Sequence, residues 1–163
     1  QRFPKNLRPS QHRAPQVLIP TEKQLRKHTY SHTRSMEKDF QDWTNKKTKL
    51  HHRTDILFFH TREIWWCSLG SNIGFEQDGS GEEYSRPVVI LKGLSRHSCL
   101  IVPLTTSGKS HSLRPAIGPV EGKEARALVS QIRVVDTKRL LRKIGYLDNK
   151  IFETIRKAVK DLV

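Results

Sequence analysis

An arginine and a threonine flank two neighbouring apolar segments of this sequence, residues 88–91 and 100–104. Arg86 precedes a proline, and because the proline ring excludes the helical conformation for the residue before it, Arg86 is held extended. Both segments are rich in apolar and β-branched residues, which is typical of strands buried on both faces. If they pair antiparallel through the turn at residues 92–97, Thr105 leaves the sheet where Arg86 enters it. A guanidinium and a hydroxyl at one rim predict a phosphate site.

The pair suits the binding of a phosphate group. A guanidinium stays ionised at any working pH and presents its donors in a fork that matches phosphate oxygens, so Arg86 suits the stabilisation of charge on such a group. Thr105 can donate a hydrogen bond to the same phosphate. Because arginine is a poor general base, we expect Glu76, in the loop before Arg86, or water to assist with proton transfer. Glu76 is equally suited to be a structural partner of the arginine.

Six short motifs follow one another along this part of the chain. They read REIWW (62–66), GFEQ (74–77), RPVVI (86–90), PLT (103–105), SQIRVVD (130–136) and KIGYL (143–147). In this order the motifs resemble the MazF/PemK family of toxin endoribonucleases from toxin–antitoxin pairs, over roughly residues 62–162. Two features depart from the family pattern. The loop before Arg86 carries the insertion 78–85, and a long segment precedes the first motif.

The resemblance implies a fold, an activity and partners. The implied fold is mainly β with flanking helices, a small SH3-like barrel of the MazF/PemK type with a C-terminal helix. The implied protein is the toxin of a type II toxin–antitoxin system, an endoribonuclease that cleaves single-stranded RNA without a metal or other cofactor. In that reaction the 2′-hydroxyl attacks the adjacent phosphate, and Arg86 and Thr105 are the catalytic pair. The implied partners are RNA, a cognate antitoxin and a second copy of the chain.

Further polar and aromatic residues accompany the pair. Candidates to assist the reaction are Glu76, Gln77 and Gln131, and candidates to bind RNA are Thr106, Lys109 and Arg133. Gln131 is equally consistent with a dimer contact or with a satisfied buried amide. Trp65 and Trp66 are adjacent, so strand alternation places one of them in the core and leaves the other to stack on a base or a partner side chain.

Three other functions remain open from the residues. A gyrase poison on the same barrel would bind its target without cleaving RNA, although the presence of both Arg86 and Thr105 argues against it. A noncatalytic nucleic-acid-binding module would use basic loops to bind phosphate. A nuclease based on His97 and His111 would use imidazoles as acid and base, but both lie in polar turns outside the motifs, which favours a surface role.

Charge and composition divide the chain into three parts. The net charge is +14, of which residues 1–35, with eight Lys or Arg against Glu22, carry +7. This proline-rich segment has no apolar run that could bury a core, so we expect it to be disordered, or to precede a true start at Met36. Residues 36–60 are expected to form an amphipathic helix and a linker, and residues 61–163 the ribonuclease-like domain. The other +7 favours phosphate contacts, although it is also ordinary for a soluble domain.

The sequence contains no stretch with the length and apolarity of a signal peptide or a membrane span, so a cytoplasmic protein is expected. Cys67 and Cys99 lack zinc-ligand spacing, and buried thiols in a reducing compartment are the simplest interpretation. His51 and His52 are adjacent and cannot face one metal ion on regular structure, which favours a solvated linker.

Two strands are predicted beyond Thr105. Residues 113–117 suit an edge strand, since prolines bound them. Residues 127–135 suit a longer strand, in which alternation places Gln131 and Arg133 on one face.

Three helices are predicted from spacing and capping residues. The first has Ser35 as its cap and Phe40, Trp43 and Leu50 at helical intervals. The second is a short helix capped by Asp136 or Thr137 that ends near Arg142. The third is capped by Asp148 and packs an apolar stripe against the core. The members of that stripe are Ile151, Ile155, Val159 and Leu162.

Overall fold

The computed structural model describes residues 38–55, 57–108 and 111–162. The disordered segment predicted for residues 1–35 and the start predicted at Met36 lie outside these residues. Along the described chain, seven antiparallel strands form one sheet, accompanied by two α-helices. None of the described helices is long and apolar enough to cross a membrane.

The elements follow one another in a simple order. They are helix α1 (Phe40–His51), strands β1 (Glu63–Ser68), β2 (Ser85–Gly93), β3 (Ser98–Thr105), β4 (Ala116–Val120) and β5 (Lys123–Ala127), a 3₁₀ helix (Val129–Gln131), strand β6 (Arg133–Asp136), a second 3₁₀ helix (Thr137–Arg139), strand β7 (Leu140–Tyr146) and helix α2 (Asn149–Lys160). The sheet order is β4-β5-β3-β2-β1-β7, and β6 also pairs with β3. The sheet curls into a half-barrel, so the predicted mainly β fold with flanking helices is confirmed.

Both faces of the central strands are buried. Val88 and Val89 point to opposite faces of β2, and each has no exposed surface. One face packs against α2, whose Phe152 and Ile155 enter the larger apolar cluster. The other face carries a second cluster around Trp65 of β1. Burial on both sides explains why β2 and β3 are continuous apolar runs rather than alternating ones.

The strand predicted at residues 127–135 is wrong because the chain interrupts it. Between β5 and β6 the register against β3 shifts by three residues, and the 3₁₀ helix Val129–Gln131 takes up the extra length. Val129 is thereby turned into the core, with no exposed surface. Gln131 and Arg133 no longer share a strand face, since only Arg133 lies on a strand.

The short helical turn predicted from Asp136 is present, but it ends at Arg139 rather than near Arg142. The Asp136 side chain does accept a hydrogen bond from the Lys138 backbone N–H at 2.8 Å, but the helix that follows is a single 3₁₀ turn. From Leu140 the chain becomes strand β7, which pairs with β1. The predicted edge strand at 113–117 is displaced to β4. In the first of these places pairing with a distant strand overrides the local signal, whereas β4 pairs with β5, its neighbour along the chain.

The predicted terminal helices are present with altered boundaries. Helix α1 is capped by Asp39 and begins at Phe40, later than the predicted cap at Ser35. Asp148 caps α2 as predicted, accepting hydrogen bonds from two backbone N–H groups of its first turn. Phe152, which is not part of the predicted stripe, is buried at 3% exposure, whereas Leu162, at 37% exposure, lies at the margin of the stripe.

Glu63 is a buried carboxylate that joins β1 to β7. Its oxygens accept hydrogen bonds from Trp65 Nε1 at 2.8 Å, Lys143 Nζ at 2.7 Å and the His60 backbone N–H at 3.0 Å. Burial by itself would raise the pKa of Glu63, but these hydrogen bonds, led by that from Lys143, lower it to about 2. The carboxylate is therefore charged and paired inside the fold.

Both cysteine side chains are free thiols buried in strands, as predicted. Burial raises the pKa of Cys67 to about 12 and that of Cys99 to about 11. Because the thiolate is the reactive form, we expect neither thiol to be alkylated by iodoacetamide at pH 8 in the folded protein and both to be alkylated after unfolding in urea. Mass spectrometry of the two samples measures this. Rapid labelling of the folded protein would contradict the burial.

Candidate active site

Arg86 lies at the start of β2, and main-chain carbonyls hold its guanidinium. Nε donates to the Asp78 carbonyl at 2.7 Å, and Nη1 donates to the Leu104 carbonyl at 3.0 Å. Neither bond uses Nη2. In the part of the chain that the structure describes, Arg86 forms no salt bridge, and the nearby Glu83 pairs with Lys46 instead. Burial lowers the pKa of Arg86, and the charge of Asp78 opposes this shift.

Thr105 ends β3 on the same side of the molecule as Arg86. Strands β2 and β3 pair Val88 with Pro103, and this antiparallel register continues toward Arg86 and Thr105. Thr105 Oγ1 accepts a hydrogen bond from the Ser107 backbone N–H at 3.1 Å, which leaves its own O–H free to donate.

Arg86 and Thr105 both line one cavity of about 390 Å³. The other polar or aromatic side chains on its walls include Trp66, Ser80, Thr106, Glu121 and Lys123. The structure therefore brings the predicted pair together at one rim, beside an exposed hydroxyl and a lysine. The cavity is large enough for a phosphate group and part of a nucleotide.

The cavity wall also carries a tryptophan that is held by a hydrogen bond. Trp65 is buried, with 6% exposure, whereas Trp66 is half-buried on the cavity wall, as strand alternation predicted. Trp66 Nε1 donates to the Glu121 carboxylate at 3.2 Å, and Arg142 donates to the other oxygen of that carboxylate at 2.7 Å. Glu121 was missed in the sequence. Its signal is the Glu-Gly pair in the tight turn between β4 and β5, where both residues have positive φ.

The loop between β1 and β2 reaches Arg86 through a residue other than the one predicted. Glu76 is exposed, and its carboxylate accepts from the Ile73 backbone N–H at 3.3 Å. The residue of this loop that contacts Arg86 is Asp78, through its carbonyl. Gln131 Oε1 accepts from the Gln77 backbone N–H at 3.1 Å, so these two predicted residues fix the loop beside the arginine.

The predicted RNA-binding residues have different environments. Thr106 is exposed on the cavity wall, whereas Lys109 lies outside the described residues. Arg133 is turned inward, with Nη2 donating to the Leu69 carbonyl at 3.1 Å and Nε buried without a partner. Burial, followed by the charge of Arg139, lowers the pKa of Arg133. This half-buried arginine therefore supports the beginning of the loop that follows β1.

None of the histidines in the described residues lines the cavity that contains Arg86. His97 and His111 are exposed in turns, in agreement with a surface role, and His51 and His52 are exposed at the end of α1. The part of the chain that the structure describes contains no group of three or more His, Cys, Asp or Glu side chains that could hold a metal ion.

Comparison with known proteins identifies a family to which the chain is similar in sequence and fold. Residues 60–163 match the model of the PemK-like, MazF-like toxins of type II toxin-antitoxin systems. The fold is similar to that of MazF from Deinococcus radiodurans, with 16% sequence identity, a TM-score of 0.55, and coverage of 65% of this chain and 96% of that one. It is also similar to MazE-MazF from the same organism, with 12% identity, a TM-score of 0.51, and coverage of 65% and 95%. No curated protein matches the sequence. The chain belongs to the PemK-like, MazF-like toxin family of type II toxin-antitoxin systems.

Proposed function

We propose that this toxin is an endoribonuclease that cleaves single-stranded RNA, without a metal ion, by attack of the 2′-hydroxyl on the adjacent phosphate. The observation that carries the proposal is the cavity in which the Arg86 guanidinium, held by two carbonyls, lies at one rim with the Thr105 hydroxyl. Membership of the toxin family supports it. RNA itself supplies the nucleophile, so the protein needs to supply charge stabilisation, orientation and proton transfer.

The proposed reaction assigns a step to each group. The 2′-oxygen forms a bond to phosphorus and the bond from phosphorus to the 5′-oxygen breaks, which gives a 2′,3′-cyclic phosphate and a 5′-hydroxyl. Arg86 stabilises the charge on the non-bridging oxygens, and Thr105 donates to one of them. Water accepts the 2′-hydroxyl proton and another water protonates the leaving oxygen. Glu121 is a weak base for this step, because hydrogen bonds from Arg142 and Trp66 lower its pKa.

Trp66 is proposed as the platform on which a base next to the scissile phosphate stacks. We expect Trp66→Ala to raise KM for an RNA oligonucleotide by about tenfold or more with little change in kcat, since stacking contributes about 1 to 3 kcal/mol per base. Trp66→Phe is expected to keep most of the affinity. Steady-state kinetics measure both, and Phe58→Ala, at a phenylalanine that is 85% exposed, is the control. An unchanged KM for Trp66→Ala would remove Trp66 from the RNA site.

The proposed partners are an antitoxin protein and a second copy of the chain. The family is one of toxin-antitoxin systems, and the MazF relative from Deinococcus radiodurans has been solved together with MazE. We also propose that the protein acts in the cytoplasm, because its proposed RNA substrate is there. Thr106, on the cavity wall, and Lys109 are proposed to contact RNA phosphates.

The proposed activity is tested by incubating the purified protein with matched RNA and DNA oligonucleotides in excess chelator. We expect scission of RNA alone, with a 2′,3′-cyclic phosphate on the upstream product. Binding of RNA without scission would favour a noncatalytic module. Inhibition of gyrase without scission of RNA would favour a gyrase poison. Either of these results would overturn the proposal.

A further inference from the structure

We infer that helix α1, which precedes the family-matched residues 60–163, positions Arg86 for the reaction by holding the loop that contacts it. We call residues 69–84, between β1 and β2, the site loop. The inference rests on the proposed function, because it gives the helix a part in the same reaction. It assigns Lys38 and Trp43 as positioning residues.

Asp78 of the site loop connects Arg86 to the beginning of the α1 segment. Its backbone carbonyl accepts the Nε–H of Arg86 at 2.7 Å. Its carboxylate pairs with Lys38 Nζ at 2.8 Å and also accepts the Asn72 backbone N–H at 2.6 Å. One residue therefore contacts both the catalytic guanidinium and a lysine outside the family-matched residues. A displacement of Asp78 would move the carbonyl that orients Arg86.

Lys38 uses its ammonium group entirely on the site loop. Besides Asp78, Nζ donates to the Asn72 carbonyl at 2.6 Å and to the Gly74 carbonyl at 3.1 Å. An ammonium group has three donors, so these three acceptors satisfy it fully. The Lys38 side chain is 27% exposed, which makes the group less screened by water than an ordinary surface lysine.

Trp43 packs on both ends of the site loop. It is 5% exposed, and its ring centroid lies 5.4 Å from that of Tyr84 at the end of the loop. At the beginning of the loop is Gly70, where φ is +94° and an added Cβ would lie 2.3 Å from the Trp43 ring. Only glycine fits this position without displacing the tryptophan. The Arg139 guanidinium covers the ring at 5.4 Å.

A further ion pair, Lys46 with Glu83, joins the middle of α1 to the end of the site loop. The polar and aromatic contacts of residues 38–46 therefore converge on the segment that carries Asp78. Catalysis by a fixed charge is sensitive to placement, and an error of about 1 Å can cost about 100-fold in rate. A helix that only stabilised the fold would leave kcat unchanged when single contacts to the loop were removed.

The test removes the Lys38 side chain, just before α1, and compares the result with removal of a lysine of α1 that forms no hydrogen bond with the site loop. We expect Lys38→Ala to lower kcat for RNA cleavage about tenfold, with KM changed less than about twofold. Lys49→Ala, at an exposed position of α1, is expected to leave both constants unchanged. Lys38→Arg, which keeps the charge and the donors, is expected to restore most of the rate. The melting temperature of Lys38→Ala is expected to fall by no more than about 4 °C.

A second readout is independent of cleavage. Exchange of the Arg86 Nε proton with water, followed by NMR, is expected to be slow in the wild type and about tenfold faster in Lys38→Ala. If the wild type cleaves no RNA but this change in exchange is found, the proposed function fails and the positioning by α1 stands. Unchanged Arg86 exchange in Lys38→Ala would overturn the inference, whatever the activity. A rise in kcat would also overturn it, because the site loop would then obstruct the cavity.

Discussion

Replacement of Arg86 by alanine is expected to lower kcat for RNA cleavage by about 1,000-fold, the upper part of the range for loss of one oriented donor to a developing oxyanion. Arg86→Lys is expected to lose about 100-fold, because an ammonium keeps the charge but cannot bond to two carbonyls and a phosphate in one plane. The physical reason lies in the geometry: Nε and Nη1 are held by Asp78 and Leu104, and Nη2 is left for substrate. Single-turnover cleavage of an RNA oligonucleotide measures the effect.

A matched control distinguishes the loss of the positive charge at the active site from a change in the net charge of the protein. Arg96→Ala removes an exposed arginine in the turn between β2 and β3 and is expected to cleave at the wild-type rate. Circular dichroism is expected to show that each Arg86 variant keeps its sheet. An Arg86→Ala protein that retained more than a tenth of the wild-type rate would show that the arginine does not stabilise the transition state.

Replacement of Glu63 by glutamine is expected to lower the free energy of unfolding by about 2 to 3 kcal/mol, because it leaves the Lys143 ammonium opposite a neutral amide. The carboxylate is buried and accepts hydrogen bonds from two side chains and one backbone group. Urea unfolding measures the change. The control is Glu153→Gln, at an exposed pair with Arg156, where a loss of less than about 0.5 kcal/mol is expected.

The same carboxylate makes stability depend on pH in a defined window. The pKa of Glu63 is lowered from its ordinary 4.5 to about 2, so folding favours the ionised form. Its contribution is therefore present above pH 4.5 and is lost as the pH falls toward 2. We expect the loss of stability across this window to be smaller in Glu63→Gln than in the wild type. Equal losses in the two proteins would show that Glu63 is not paired in the fold.

The central sheet could be predicted from the sequence because its strands are buried on both faces. Residues 88–91 and 100–104 are short continuous apolar runs rich in β-branched residues, which is typical of buried strands, and their pairing brings Arg86 to Thr105. The Asp148 cap of α2 could also be predicted from the sequence, because capping is a local interaction. Structural features that depend on local interactions, or on continuous burial of a segment, could therefore be predicted from the sequence.

Other features depend on contacts between distant parts of the chain. The interruption at Val129–Gln131 follows from a register shift against β3, which alternation along one segment cannot reveal. The choice of Asp78 over Glu76 as the neighbour of Arg86 depends on the path of the site loop. That path is fixed by Lys38 and Trp43, which lie before the family-matched residues. A motif-based prediction therefore found the arginine but not the groups that orient it.

The most direct test of RNA cleavage by the 2′-hydroxyl uses two oligonucleotides that differ at one sugar. One is ribose throughout, and the other has a 2′-deoxy nucleotide on the 5′ side of the scissile phosphate. We expect the wild-type protein, in excess chelator, to cleave the first to a 2′,3′-cyclic phosphate and to leave the second intact at that phosphate. Cleavage of the 2′-deoxy substrate at the same phosphate would contradict attack by the 2′-hydroxyl.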